Sequence, residues 1–381
     1  MTFFSKRVQS IPPSGIREFF DLVMSSQGII SLGVGEPDFL TPWGIRDEAM
    51  HRIQTGTTSY TSNKGLTELR SAIANYLNIQ FDIHYAANEL LITNGVSEAV
   101  DLVMRSIIDP GDAVLLPEPT YVCYRPLIEL CDGVPIPINT TKTGFSITAK
   151  AIEAHLTPKT KAIVLCYPNN PTGQSIPWDE LQKIADIAHQ HDLIIISDEI
   201  YAALSFEPFH SIAKISSIKD RLIYLNGFSK AHAMTGWRIG YIAAPEPVIE
   251  TINKIHQYSA LCAPTVSQYA AIEACKNTQS DVQKMAQSYQ ERARYFTKKM
   301  NDIGIDSRMP SGGLYVFSSI ASTGLSSIEF AKRLLKEANV AVVPGMVFGN
   351  SGEGYIRACI ATDFDQLKQA VTNITAFVQA L

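Results

Sequence analysis

Residues 193–201 read Leu-Ile-Ile-Ile-Ser-Asp-Glu-Ile-Tyr. The segment opens with a short apolar run rich in β-branched side chains, which is typical of a strand buried on both faces. Polar side chains follow at once, beginning with Asp198. The same order, an apolar run that ends in polar or turn residues, recurs through the middle of the chain. This pattern predicts a sheet whose strands end at one polar edge.

Amphipathic helical stretches separate these apolar runs, for example at residues 96–107, 121–130 and 178–191. Parallel strands need long crossover connections, so the alternation predicts βαβ units. We therefore expect an α/β fold with a large, mostly parallel sheet that is covered by helices. The predicted strands are Leu90–Thr93, Ala113–Leu116, Ala162–Tyr167, Leu193–Ser197, Leu222–Asn226 and Arg238–Ala243.

The C-terminal part has a different pattern. A polar helical stretch over residues 280–301 leads into short strand patterns and two more helices, at residues 326–338 and from Asp363. This order predicts a smaller α+β domain. The predicted strands there are Leu314–Ser319, Val340–Val343 and Tyr355–Ile360. We predict a large domain at residues 45–285 and a small domain formed by residues 1–44 and 286–381.

The composition excludes several classes of protein. Hydrophobic residues make up 46% of the 381 residues and charged residues 18%, as in globular proteins rather than disordered or coiled-coil chains. The net charge of −5 leaves no basic excess for nucleic acid. No apolar run approaches the length of a membrane span, and no signal peptide is visible at the N-terminus. The six cysteines are scattered and no metal motif is present. We expect a cytoplasmic protein without a metal, and no nucleic acid or membrane as a partner.

Polar residues follow five of the predicted strands, at the point where each strand ends. They include Asn170, Asp198, Tyr201 and Lys230. The carboxyl ends of the strands in an open parallel sheet line the ligand crevice. These side chains are therefore expected to meet at one edge of the sheet.

An amine, a carboxylate after a buried strand, a phenol and an amide are the groups that pyridoxal phosphate requires. Lys230 can form a Schiff base with the aldehyde, and Asp198 can keep the pyridine nitrogen protonated so that the ring withdraws electrons. Hydrogen bonds from Tyr201 and Asn170 to the ring 3′-oxygen would lower the pKa of the Schiff base.

The phosphate of this cofactor also has candidate ligands. Gly95, Val96 and Ser97 open a predicted helix, whose first backbone N–H groups can bind an anion. Ser229 and Arg238 can add a hydroxyl group and a guanidinium group.

These segments resemble the signature of fold-type I, class I/II aminotransferases, in the aspartate/aromatic aminotransferase branch. The resemblance covers nearly the whole chain, in order and at the spacing of the family. The segments that carry it are Ser14–Arg17, Gly35–Phe39, Asn169–Gly173, Ser197–Tyr201, Ser229-Lys230, Gly236–Tyr241 and Pro310–Gly313.

The resemblance implies roles for individual residues. Lys230 would form the Schiff base and move the substrate α-proton. Asp198 would pair with the pyridinium, and Asn170 and Tyr201 would bind the 3′-oxygen. Tyr121 would stack on the ring.

The resemblance also implies a homodimer with shared active sites, because Tyr60 matches a tyrosine that reaches the phosphate of the neighbouring subunit. Arg357 matches the arginine that binds the substrate α-carboxylate, and Gly35 matches a backbone contact to the same group. Gly227 departs from the pattern, since some members have a phosphate-binding serine there. We expect that contact to be missing or replaced by water.

The implied function is the transfer of an amino group from an L-amino acid (aspartate, aromatic or related) to a 2-oxo acid such as 2-oxoglutarate. A C–S β-lyase or an N-acyl-diaminopimelate aminotransferase shares nearly all of these residues and stays an alternative. A non-enzymatic ligand-sensing domain is disfavoured because Lys230 is present. Candidates for contacting the substrate side chain are the cations Arg17, Lys64 and Arg105 and the aromatic residues Tyr60, Tyr121 and Tyr124 around the cavity mouth.

Overall fold

The computed structural model describes residues 3–13, 15 and 28–381. The strands are β1 (Ile30–Ser31), β2 (Leu90–Thr93), β3 (Ala113–Glu118), β4 (Val134–Asn139), β5 (Thr160–Cys166), β6 (Ile194–Asp198), β7 (Leu222–Gly227), β8 (Gly240–Ala243), β9 (Tyr315–Ser319), β10 (Val340–Ala341), β11 (Val343–Pro344) and β12 (Tyr355–Cys359). The α-helices are α1 (Lys6–Ser10), α2 (Trp43–Gln54), α3 (Thr67–Phe81), α4 (Val96–Ile107), α5 (Tyr124–Leu130), α6 (Ala149–Glu153), α7 (Trp178–Gln190), α8 (Glu246–Ser259), α9 (Thr265–Asn277), α10 (Gln279–Asp302), α11 (Ser327–Ala338) and α12 (Phe364–Gln379).

Seven strands form the large sheet, in the order β2-β8-β7-β6-β5-β3-β4. All pairings are parallel except those of β8, which runs antiparallel to both β2 and β7. The central strands are buried along nearly their whole length, as expected for strands with helices packed on both faces. The predicted α/β architecture with a mostly parallel sheet is confirmed.

Apart from shifts of one or two residues at the ends of other strands, the large sheet differs from the prediction at β8 and β4. The strand expected at Arg238–Ala243 begins only at Gly240, because Arg238 has a left-handed backbone (φ 52°) after a short 3₁₀ turn. Strand β4 was not predicted, since Pro135 and Pro137 argue against a strand. β4 lies at the edge of the sheet, where a residue without an N–H donor is tolerated.

The C-terminal part forms a separate antiparallel sheet in the order β11-β12-β9. The predicted strand Val340–Val343 is divided, since β10 pairs with β1 and β11 pairs with β12. The pairing of β1 with β10 ties the N-terminal segment to the C-terminal part. Helix α10 runs without a break through residue 285, where the domain boundary was placed. The division into two domains stays a prediction.

Side chains cap the first turn of two helices in the C-terminal part. Ser326 caps α11 by accepting a hydrogen bond from the backbone N–H of Glu329, and Asp363 caps α12 through Asp365 and Gln366. In the part of the chain that the structure describes, none of the helices has the length and apolarity that crossing a bilayer requires.

Candidate active site

A cavity of about 600 Å³ lies at the carboxyl ends of β5 and β6 and is also lined by residues of β9 and β12. Its lining brings together most of the residues that the sequence singled out. They are Gly35, Val96, Ser97, Tyr121, Asn170, Asp198, Tyr201, Ser229, Lys230, Arg238 and Arg357.

Lys230 lies in the turn after β7, and its Nζ donates a hydrogen bond to the Gly35 carbonyl oxygen at 2.6 Å. Burial lowers the pKa of the Lys230 amine from 10.5 to about 8. An amine with this pKa is partly neutral at mildly alkaline pH, so it can act as a nucleophile or a base.

Asp198 ends strand β6 and is 4% exposed. Its Oδ2 accepts a hydrogen bond from the Tyr124 hydroxyl at 2.7 Å, and its Oδ1 accepts one from the Ile200 N–H at 3.2 Å. Burial raises the pKa of the Asp198 carboxyl to about 6, against the opposing effect of these hydrogen bonds. Tyr124 lines the cavity, but its side chain is fully buried and its hydroxyl is bonded to Asp198.

Tyr201 follows β6, and burial raises the pKa of its phenol well above the usual value. Its hydroxyl lies 3.1 Å from the Tyr315 hydroxyl. Sequence reasoning missed Tyr315. The sequence signal that could have identified Tyr315 is the alternation of side chains along β9, which places Tyr315 and Phe317 on one face of the strand.

Arg357 lies in the middle of β12 and is 2% exposed. Nη1 donates a hydrogen bond to Asn170 Oδ1 at 3.0 Å, and Nη2 donates one to the Gly33 carbonyl oxygen at 2.7 Å. Nε is buried without a hydrogen-bond partner, and both hydrogen bonds that the guanidinium donates to described residues go to uncharged oxygen atoms rather than to a carboxylate. A buried, unpaired cation at a cavity is a site for an anion.

A second candidate site for an anion lies at the start of α4. The helix begins at Val96, and the N-cap residue before it, Gly95, has a φ of 79° and provides no side-chain cap for the first N–H groups. Arg238 donates hydrogen bonds to the carbonyl oxygens of Asn94 at 3.2 Å and Thr235 at 2.9 Å. A Cβ atom at Gly95 would lie 2.5 Å from Arg238 Nη2. The helix N-terminus and the guanidinium therefore approach closely only because residue 95 is glycine.

Gly227 has no room for a side chain, since a Cβ atom would lie 2.9 Å from the Gly240 Cα. Tyr60 is 83% exposed and does not line the cavity of its own chain.

The structure describes two of the three cations that were considered for contacting the substrate side chain. Lys64 pairs with Glu250, and Arg105 pairs with Asp101 at 2.8 Å; neither Lys64 nor Arg105 lines the cavity. Arg17 lies outside the described residues, as do Ser14 and Ile16 of the same motif.

Residues 27–374 match the family described as "Aminotransferase class I and II". The chain is 48% identical to the putative aminotransferase YugH of Bacillus subtilis (strain 168), over 99% of this chain and 98% of that protein. It is 42% identical to a probable N-acetyl-LL-diaminopimelate aminotransferase of the same strain, over 98% of this chain and 95% of the relative.

Among solved structures, an aromatic aminotransferase from Pyrococcus horikoshii OT3 aligns with a TM-score of 0.91 at 37% identity. The alignment covers 96% of this chain and 99% of that chain. The likenesses to these relatives and to this structure extend over nearly the full length of both chains, and the family match at residues 27–374 includes all the strands that line the cavity. The chain therefore belongs to the class I and II aminotransferases, and it is a transaminase that depends on pyridoxal 5′-phosphate.

Proposed function

We propose that pyridoxal phosphate binds in this cavity with its reactive carbon at Lys230. The residues fit the cofactor: a buried amine, a buried carboxylate and the first residues of α4, Val96 and Ser97, line one cavity. When bound, the cofactor supplies an aldehyde that condenses with amines and a ring that withdraws electrons from the substrate Cα. The lowered pKa of Lys230 favours the neutral amine that this condensation needs.

Asp198 is proposed to hold the proton on the pyridine nitrogen. Its carboxyl group is ionised near neutral pH despite burial, because two hydrogen bonds stabilise the anion. Tyr201 and Asn170 are proposed to donate hydrogen bonds to the ring oxygen, and Tyr121 to cover the ring.

The anion site at α4 is proposed to hold the phosphate. Its ligands are the N–H groups of residues 95–97, with the Ser229 hydroxyl and the Arg238 guanidinium. We place Tyr60 of a second copy of the chain at the same phosphate, because Tyr60 is exposed and away from its own cavity. The proposal therefore includes a homodimer with shared sites, located in the cytoplasm.

The observation that carries the function is the buried, unpaired guanidinium of Arg357. We assign it to the α-carboxylate of the substrate, with the Gly35 backbone as a further contact. Every α-amino acid and 2-oxo acid presents this carboxylate, so one arginine serves both halves of a transamination. With the substrate held there, Lys230 would take the proton from the Cα of the donor amino acid, and in the second half of the reaction it would return a proton to the Cα of the amino acid formed from the acceptor oxo acid.

The donor is proposed to be an L-amino acid with an aspartate, aromatic or related side chain, and the acceptor 2-oxoglutarate. Three described cations line the cavity: Lys230, Arg238 and Arg357. Each of these three cations already has a proposed role, at the Schiff base, the phosphate or the α-carboxylate. A second carboxylate on the substrate would need a cation from outside the described lining.

The test is a panel of acidic, aromatic and N-acyl-diaminopimelate donors mixed with 2-oxoglutarate, with glutamate formation as the readout. A transaminase forms glutamate and converts the bound cofactor to its amine form, which the absorbance spectrum reports. A C–S β-lyase would instead release a thiol and ammonia from an S-substituted cysteine without consuming 2-oxoglutarate. Borohydride reduction followed by peptide mapping should find the cofactor on Lys230, and a different lysine would overturn the assignment.

A further inference from the structure

Tyr315 is a buried side chain that lies beside three groups to which a role has been assigned: Tyr201, Arg357 and Gly35. It is the first residue of β9, is 2% exposed, and lines the cavity. Its hydroxyl lies 3.1 Å from the hydroxyl of Tyr201. A Cβ atom at Gly35 would collide with the Tyr315 hydroxyl, so the segment that carries the Lys230 acceptor packs directly on this tyrosine.

The ring of Tyr315 also supports Arg357. The guanidinium carbon lies 4.2 Å from the Tyr315 ring centroid and 4.9 Å from the Phe348 ring centroid. Hydrogen bonds occupy Nη1 and Nη2 but leave Nε without a partner in the described chain. Two hydrogen bonds alone leave a long side chain room to tilt, whereas contact with aromatic rings fixes the plane of the guanidinium.

The backbone places these groups on one side of the small sheet. In the antiparallel pairing of β9 with β12, Arg357 lies opposite Phe317 and Tyr315 lies opposite Cys359. Tyr315 and Arg357 are therefore diagonal neighbours on the same face, within reach of an aromatic side chain. The arrangement is a property of strand register and does not depend on a mobile loop.

We propose that Tyr315 is a positioning residue with two separable functions. Its ring holds Arg357 in the plane that receives the substrate carboxylate, and its hydroxyl holds the Tyr201 phenol for the cofactor. The proposal rests on the function assigned above, because it takes Arg357 as the carboxylate site and Tyr201 as a ligand of the ring oxygen.

The test separates the ring from the hydroxyl. Holoenzymes of the wild type, Tyr315→Phe and Tyr315→Leu are titrated with 3-phenylpropionate, which has a carboxylate but no amine. The pH midpoint of the visible cofactor absorbance is measured without ligand. Tyr355→Phe is the matched control, because it removes a hydroxyl from the same sheet at a residue that does not line the cavity.

Tyr315→Leu should weaken 3-phenylpropionate binding by about 5- to 30-fold, the range of a desolvated cation–π contact. Tyr315→Phe keeps the ring, so its dissociation constant should stay within about 2-fold of the wild type. Both variants lose the hydroxyl, which makes Tyr201 a poorer hydrogen-bond donor. Their absorbance midpoints should therefore rise by about 0.5–1 pH unit. Tyr355→Phe should change neither quantity.

Wild-type affinity in Tyr315→Leu would overturn the role of the ring. An unshifted absorbance midpoint in Tyr315→Phe would overturn the role of the hydroxyl. Arg357→Lys is titrated in parallel: if it binds 3-phenylpropionate as tightly as the wild type, the assignment of Arg357 itself fails. If Arg357→Lys binds weakly and Tyr315→Leu binds normally, only the inference about Tyr315 fails. Circular dichroism of Tyr315→Leu establishes that the comparison is made on folded protein.

Discussion

The two walls of the cavity are built in different ways. The wall from the large sheet presents single polar side chains, such as Asp198 and Lys230, at or just after strand ends. The wall from the small sheet presents two strand residues, Tyr315 and Arg357, and the guanidinium carbon of Arg357 lies 4.2 Å from the centroid of the Tyr315 ring. The first wall holds its groups by burial and hydrogen bonds, and the second holds its cation between aromatic rings.

This difference shows how one cavity can combine proton transfer with the recognition of an anionic substrate. Burial on the large-sheet wall changes the pKa values of an amine and a carboxyl group, which suits groups that exchange or hold protons. Arginine keeps its charge in every setting that a protein provides, so the small-sheet wall suits recognition of a fixed anion. Changes on the first wall should therefore affect chemistry, and changes on the second should affect binding.

The largest effect is expected for Lys230→Ala, on the large-sheet wall. Amino transfer should slow by several orders of magnitude, because the nucleophile and the proton carrier are lost together. The cofactor should still bind without a covalent link, which equilibrium dialysis measures. Lys299→Ala, at an exposed lysine on α10, is the control and should retain wild-type turnover. Appreciable turnover in Lys230→Ala would contradict the role.

Arg357→Lys tests the small-sheet wall. The guanidinium fork can make two parallel hydrogen bonds to a carboxylate, each worth about 1.5–3 kcal/mol, which lysine cannot copy. We expect kcat/KM to fall by about a few hundred- to a few thousand-fold for acidic, aromatic and small aliphatic donors alike. The absorbance and affinity of the cofactor should change little. A loss confined to acidic donors would mean that Arg357 contacts the side chain of the substrate.

Asp198→Ala should lower turnover by about 10²–10³-fold, the size expected when one preorganised charged group is removed. Asp198→Glu should retain more activity, because it keeps a carboxylate near the ring nitrogen. The fold should survive in both variants, as thermal unfolding can establish. Turnover near the wild-type rate in Asp198→Ala would refute the role of this carboxylate.

The smallest effect concerns the stability of the apoenzyme. Burial in the folded chain lowers the pKa of Lys230 to about 8. Below that pH the folded protein holds a protonated amine in a buried site, which lowers the free energy of unfolding. Between about pH 8 and 10.5 the unfolded chain holds a proton that the folded chain has lost, so this contribution to stability rises with pH. Lys230→Met should therefore stabilise the apoenzyme by about 1–3 kcal/mol at pH 7, and the gain should fade toward pH 10.5.

Urea unfolding of apo wild type, Lys230→Met and Lys299→Met at pH 7 and pH 10 measures this difference. Lys299→Met, at the exposed lysine, should show no such dependence on pH. A gain in Lys230→Met that is equal at both pH values would mean that packing, and not the buried charge, causes it.

The local pattern of the sequence was enough to predict the large sheet and its polar edge. Buried parallel strands are continuous apolar runs in the sequence. The residues that follow these strands meet at one edge of the sheet, independently of the structure elsewhere in the chain. The start of α4 at Val96 and the polar residues Asp198 and Lys230 follow from this rule. Strand β4 was missed because its prolines act against the same pattern, and only the position of the strand at the sheet edge makes them acceptable.

Only the tertiary structure decided which groups meet across the cavity. The hydrogen bond from Lys230 to Gly35 joins residues 195 positions apart, and that from Arg357 to Asn170 joins residues 187 positions apart. The periodicity of hydrophobic residues in the sequence cannot predict a contact at that separation, because the two walls of the cavity come from different sheets. The pKa values of Lys230 and Asp198 are likewise set by burial, which depends on what packs around each side chain. The sequence thus determined which chemical groups are present, and the packing of the two sheets determined their charge and their partners.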